Sequence, residues 1–180
     1  KAIRARDVSN YYHKWTGEYF FYHNKIKIGR AKQFEDSKVI MPRTVLRLKA
    51  SYDNDGLTLI DRFYYIRSNN EEYHNKYLMA LLNSKLISFY YIQLFGATHL
   101  QGGYLDLKGI DLEKLPIKKI SDMEQNKIIK MIDKIIELLK KLNEFSNKQT
   151  DEKTNLESEL KRLENELNEE VYKIYRITKE

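Results

Sequence analysis

Side chains able to do acid–base chemistry are plentiful in this 180-residue chain, with 26 Asp or Glu and four His, but none stands in a recognised catalytic spacing. The lack of cysteine removes disulfide frameworks, thiolate zinc sites, iron–sulfur clusters and cysteine nucleophiles. The four histidines, His13, His23, His74 and His99, show no metal-ligand spacing. The sequence holds no Gly-x-x-x-x-Gly-Lys phosphate loop, no Gly-x-Gly-x-x-Gly fingerprint and no Gly-x-Ser-x-Gly elbow. The only prolines are Pro42 and Pro116, so the Asp/Asn-Pro-Pro-Tyr signature of amino-methyltransferases is missing. Glu159-Leu160-Lys161, with Asp151 upstream, has the form of the acidic–Glu-x-Lys nuclease pattern. Leu160, however, takes an apolar heptad position and its neighbours fall on the solvent face. No catalysis, cofactor or metal is expected in this chain.

The chemistry that remains is that of cations meeting a polyanion. The formal charge is +6, and it is unevenly spread. Residues 1–67 hold 14 Lys/Arg against 7 Asp/Glu, residues 68–120 hold 6 against 5, and residues 121–180 hold 12 against 14. Of the 22 aromatic residues, 19 lie before residue 105. A basic, aromatic N-terminal part beside a mixed-charge, aliphatic C-terminal part points to a polyanion-facing surface in the former. Ordinary solubility charge is the alternative. Arg47 and Lys49 are the foremost DNA candidates, because they share the basic face of an alternating strand and Arg can grip guanine with two parallel hydrogen bonds. The alternative for them is a solvated outer sheet face. Arg43 follows Pro42 at a strand end, a stiff mount for a groove contact or a member of an internal ion pair. Lys25, Lys27, Arg30 and Lys32 flank Gly29 and suit phosphate contacts, which give affinity and salt dependence without sequence choice; plain surface charge is their other reading. His99 and Gln101 sit in a glycine-flanked loop, where Gln can pair with adenine N6 and N7 or simply belong to the scaffold. Trp15 and Tyr19–Tyr22 either stack on unpaired bases or pack internally.

Elements that would position these groups are readable from periodicity. Glu18 to Tyr22 is a β-prone run. Lys38-Val39-Ile40-Met41 reads as a strand stopped by Pro42. From Thr44 to Tyr52 the residues alternate, with Leu46, Leu48, Ala50 and Tyr52 on one face and Arg47, Lys49 and Ser51 on the other. Asp53-Asn54-Asp55-Gly56 is turn chemistry, so Leu57 to Arg67 is expected to return as the second strand of a hairpin. Residues 75–94 carry Tyr77, Leu78, Leu81, Leu82, Leu86, Phe89 and Tyr90 at helical spacing, predicting one buried helix that Gly96 ends. Gly96 to Leu105 is a glycine-rich loop entering a short strand. Ser121 or Asp122, with Glu124 or Gln125, resembles a capping box that opens a helix. Ile128, Ile132, Ile135, Leu139 and Leu142, and then Leu156, Leu160, Leu163, Leu167, Val171 and Ile174, mark two heptad-like helices on either side of a polar break. The expected fold is α+β: a mixed, largely antiparallel β-rich recognition domain with a buried helix over residues 1–120, followed by a long antiparallel helical hairpin over residues 121–180.

Several stretches together resemble a known family. Ile3-Arg4-Ala5-Arg6-Asp7-Val8, Tyr11-Tyr12 and Trp15 to Tyr22 are similar to the start of the TaqI-like C-terminal specificity domain. The likeness runs through Lys38 to Thr44, Phe63-Tyr64-Tyr65-Ile66, the Leu-Leu-Asn-Ser-Lys-Leu of residues 81–86, Phe95 to Tyr104 and Leu115-Pro116-Ile117. It spans most of residues 3–142 and rests on motif order rather than on any single motif. Leu-Leu-Asn-Ser-Lys, and Leu-Pro-Ile followed by Glu124-Gln125, are also similar to stretches of type I restriction specificity subunits.

The resemblance implies recognition of a short double-stranded DNA sequence on behalf of catalytic domains elsewhere in the polypeptide: a restriction endonuclease and an adenine-N6 DNA methyltransferase. S-adenosylmethionine and magnesium would belong to those domains. The chain begins at Lys1 rather than Met, in keeping with a piece of a longer protein. Arg6 and Asp7 match the family's opening motif and could form an ion pair fixing that segment. The helical hairpin would dock the methyltransferase or pair two copies. A protein-assembly module acting through that hairpin is the competing function. No apolar run approaches the ~20 residues of a membrane span and no signal peptide is visible, so a cytoplasmic location away from any membrane is expected.

Overall fold

The computed structural model describes residues 1–21, 33–68, 72–96, 101–145 and 150–177. Lys25, Lys27, Arg30, Lys32 and His99 lie outside the described residues, as does the side chain of Gln101. Within them the chain is α+β. The strands are β1 (Ala2–Ile3), β2 (Lys38–Pro42), β3 (Thr44–Val45), β4 (Ser51–Asp53), β5 (Thr58–Leu59), β6 (Phe63–Ile66) and β7 (Leu105–Asp106). The helices are α1 (Asn75–Asn83), α2 (Lys85–Phe95), α3 (Gly109–Leu112), α4 (Asp122–Glu144) and α5 (Asp151–Ile174).

The central strand is β2, paired antiparallel with β4 on one side and β6 on the other. Both its faces are covered. Val39 and Met41 point into the main core with the helices, and Ile40 points into a smaller cluster with Ile3, Val8 and Leu57. Strand alternation thus explains a strand buried throughout. Lys38 shares the Ile40 face and meets Asp53 across the β2–β4 register, both fully excluded from solvent. The ammonium also donates to Phe34 O at 2.6 Å, while the carboxylate accepts from Asp55 N at 2.8 Å and Leu57 N at 3.0 Å.

That carboxylate-centred turn corrects the expected hairpin. The chain wraps around Asp53, Gly56 adopts a left-handed φ of 65°, and Leu57 drops into the small cluster. β5 then pairs in parallel with β1, and β6 pairs with β2 rather than with β4. The alternating run from Thr44 to Tyr52 is likewise not one strand. β3 and β4 belong to different sheets, because the buried Asn83 amide takes both the N–H and the C=O of Ala50, at 2.9 and 2.8 Å. Leu46, placed on the core face by alternation, is 59% exposed, whereas Ser51 is buried. Residues 18–21 form no strand; Ala2 N and Trp15 Nε1 both donate to Glu18 O.

The predicted single helix is two, bent by 64° at Ser84. Ser84 is extended, and its hydroxyl accepts from Ile87 N, capping α2. Gly96 ends α2 as expected. α4 opens with the Ser121–Glu124 capping box and runs antiparallel to α5, with Lys127 near its start 2.5 Å from Glu170 near the end of α5. α4 packs on α1 and α5 on α2, so Ile128, Ile132, Ile135, Leu163, Leu167 and Val171 join the main core. Gln125 fastens the start of α4 by accepting from His74 N at 2.9 Å and donating to Glu72 O at 2.8 Å. Asn168 of α5 accepts from Lys85 N at 2.8 Å. Among the described residues no single helix is long and apolar enough to cross a membrane.

Removing one partner of a buried ion pair leaves an uncompensated charge, so Lys38→Met should cost about 3–5 kcal/mol in urea unfolding. Asn83→Ala, which strands both polar groups of Ala50, should cost about 1–3 kcal/mol. Arg47→Ala, at an exposed site, should stay within about 0.5 kcal/mol of the parent in the same measurement.

Candidate nucleic-acid interface

The last residues of β2 feed directly into a two-stranded ribbon. β3 pairs antiparallel with β7, Thr44 opposite Asp106 and Val45 opposite Leu105. The ladder continues at one end, where Leu107 N donates to Arg43 O at 2.9 Å. Val45 and Leu105 are buried and hold the ribbon to the core, while Thr44 is exposed. Tyr64 of β6 fixes the far side of β7, donating from its hydroxyl to Leu107 O at 3.1 Å and accepting from Gly109 N at 3.0 Å. β7 is preceded by a short 3-10 turn, Gln101–Gly103. Gly102 and Gly103 have φ of 81° and 78°, left-handed values that favour glycine and bring bare backbone to the surface.

Cations stand at both ends of this ribbon. At the β2 end, the Arg43 guanidinium grips Asp106 with two bonds of 2.8 and 2.9 Å. The hydrogen bond from Arg43 holds the Asp106 carboxyl below the usual carboxylate range, with Arg62 and Lys108 adding to the pull. Arg43 N donates to Arg62 O at 2.9 Å, which brings the two arginines side by side. Three cations therefore gather around one carboxylate. At the other end, Arg47 is exposed and lines a shallow groove with Leu46, Lys49, Tyr104 and Glu164. Burial pushes the Glu164 carboxyl up, opposed by Arg47. Lys49 is half-buried, donates to Val8 O at 2.8 Å, and has its ammonium pushed down by that burial.

Of the residues singled out in the sequence, the structure thus brings Arg43, Arg47, Lys49 and the Gln101–Gly103 turn to one ribbon. Arg43 stands in the ion pair that was its alternative reading, and it remains at the surface. Arg62, Lys108, Asp106, Leu46 and Tyr104 were not singled out. Only the β2–β6 and β3–β7 registers join them to the cluster. In the opening motif, Arg6 is mostly exposed and 3.8 Å from Asp7, whose carboxylate accepts from Arg4 N. Arg4 makes the stronger tie, 2.8 Å to Glu18. Trp15 packs edge-on against Tyr19 and on the small cluster. Asp151, Glu159 and Lys161 are exposed along α5, and among the described residues no three His, Asp or Glu side chains gather where they could hold a metal.

Two other clefts also carry cations. One, between residues 11–15 and α4, sets Lys76 and Lys140 against Asp55, Asp133 and Glu137. The other, at the start of α4, holds Lys118, Lys119, Lys127, Lys173 and Arg176 against Glu124 and Glu170; Lys119 is paired with Glu72, and both Lys127 and Lys173 with Glu170.

The ribbon, its glycine turn and its cations Arg43, Arg47, Lys49, Arg62 and Lys108 lie within one family match, and only the groove wall supplied by Leu139 and Glu164 lies outside it. The model of the TaqI-like C-terminal specificity domain covers residues 1–117 of the 180. No curated protein matches the chain. With well over half its length covered, the chain belongs to the TaqI-like C-terminal specificity domain family.

Proposed function

We propose that this chain reads a short duplex DNA sequence for a restriction–modification enzyme, using the β3–β7 ribbon and its glycine turn as the contact surface. The observation that carries the reading is the gathering of Arg43, Arg47, Lys49, Arg62 and Lys108 along one ribbon of a specificity-family chain. A two-stranded ribbon fits the B-DNA major groove, about 12 Å wide. Cations at both ends of the ribbon would meet the phosphates that flank it and fix its register, with Arg47 free to reach a base edge. Lys25, Lys27, Arg30 and Lys32 lie outside the described residues and suit phosphate contacts by residue type alone. Endonuclease and adenine-N6 methyltransferase chemistry, with its S-adenosylmethionine and magnesium, would come from other domains of the parent protein acting on DNA in the cytoplasm. α4 and α5, which continue past the family match, would be the arm that docks those domains.

If the surface is electrostatic, binding to a short duplex followed by fluorescence anisotropy should weaken steeply and linearly in log affinity against log salt. Arg47→Ala combined with Lys49→Ala should lower that affinity by about tenfold or more with the fold intact by circular dichroism. Unchanged binding by a folded double variant would refute this placement. Asp106→Asn removes the one carboxylate among Arg43, Arg62 and Lys108. It should tighten binding to all duplexes and steepen the salt slope by about one phosphate contact.

A further inference from the structure

The ribbon carries Thr44 and Asp106 on its outer face, and just past its last ladder pair the surface turns apolar. Leu46 directly follows Val45 and Tyr104 directly precedes Leu105, just past the last ladder pair. Both line the same shallow groove and both are exposed, 59% and 43%. Neither anchors the ribbon, since Val45 and Leu105 do that from the opposite face. The Arg43 fork is already filled by Asp106, so that end of the ribbon offers no free bidentate donor to guanine. Toward Arg47 the surface offers instead a leucine side chain and an aromatic ring.

We infer that Leu46 and Tyr104 read the 5-methyl group of thymine when the ribbon lies in the major groove. The inference rests on the reading of the ribbon as the duplex contact and names what that surface selects. Thymine alone among the four bases presents a methyl group on the major-groove edge, and apolar side chains are what recognise it. The flanking charges suit this partner rather than an apolar protein surface: Arg43, Arg47, Lys49, Arg62 and Lys108 outnumber Asp106 and Glu164. Burying one methyl group is worth about fourfold in affinity per thymine contacted.

The test enriches short duplexes from a randomised pool on the chain at low salt, then remakes the enriched duplexes with deoxyuridine in place of thymine. The wild-type chain should bind the deoxyuridine duplexes about fourfold or more weakly by anisotropy. Leu46→Ser, an exposed change that should leave the melting temperature unmoved, should discriminate less between thymine and deoxyuridine duplexes than the wild type, with Tyr104 keeping the remainder. It should match the wild-type affinity for the deoxyuridine form. Enriched duplexes without thymine, equal wild-type binding to both forms, or a Leu46→Ser variant that discriminates as the wild type does would each overturn the inference. Loss of all salt-dependent duplex binding by the wild-type chain would instead overturn the DNA-reading proposal beneath it.

Discussion

Lys38 and Asp53 face each other with no access to water, and the path of the first half of the chain follows from how that pair is satisfied. Two buried charges are tolerable only when their remaining donors and acceptors are also met. Here the ammonium finds Phe34 O and lies 5.9 Å from the centre of the Phe34 ring, and the carboxylate takes the N–H groups of Asp55 and Leu57. The pair therefore ties β2 to β4 and also dictates how the chain leaves β4. It turns sharply, buries Leu57 and sends β5 to β1. β2 is left free on its other edge for β6, and β6 brings Arg62 and Tyr64 to the ribbon. The surface assigned to DNA is mounted on this strand: Pro42 ends β2 and Arg43 begins the ribbon's ladder.

A second layer of constraint comes from three buried amides. Asn83 holds Ala50, Asn168 holds the first turn of α2, and Gln125 holds the turn before α1. Each joins a helix to a neighbour far along the chain; Asn83 and Gln125 do so with both amide donor and acceptor, and Asn168 with its acceptor alone. In Leu81-Leu82-Asn83-Ser84-Lys85 the polar residues are architectural. Asn83 grips the strand connection, Ser84 breaks and recaps the helix, and the Lys85 amide meets α5. Likewise Glu124 caps α4 while Gln125 latches it. These motifs hold helices and strands together around the β2 strand that carries the ribbon.

Local chemistry was legible in the sequence wherever a single residue decides the backbone. Pro42 stops β2, Asp53–Gly56 turns, Gly96 ends α2, and the Ser121–Glu124 box starts α4. The two C-terminal helices were legible because their apolar spacing is long and regular. What escaped was whatever a distant partner decides. Alternation over Thr44–Tyr52 is real in the sequence, but an amide 33 residues away takes the hydrogen bonds a strand would have used. The bend at Ser84 lay hidden inside a continuous helical period, although Asn and Ser are residues that favour caps over helix interiors. Arg43, Arg47 and Lys49 could be named from their spacing alone. Arg62, Lys108, Leu46 and Tyr104 could not, because strand register rather than sequence distance makes them neighbours.

The central claim is that duplex DNA meets the ribbon. Amide hydrogen exchange of the chain with and without a short duplex tests it most directly. The account predicts new protection concentrated over residues 43–47 and 101–108, with the outer faces of α4 and α5 unchanged. Protection confined to those helices, with the ribbon exchanging as in the free chain, would contradict it.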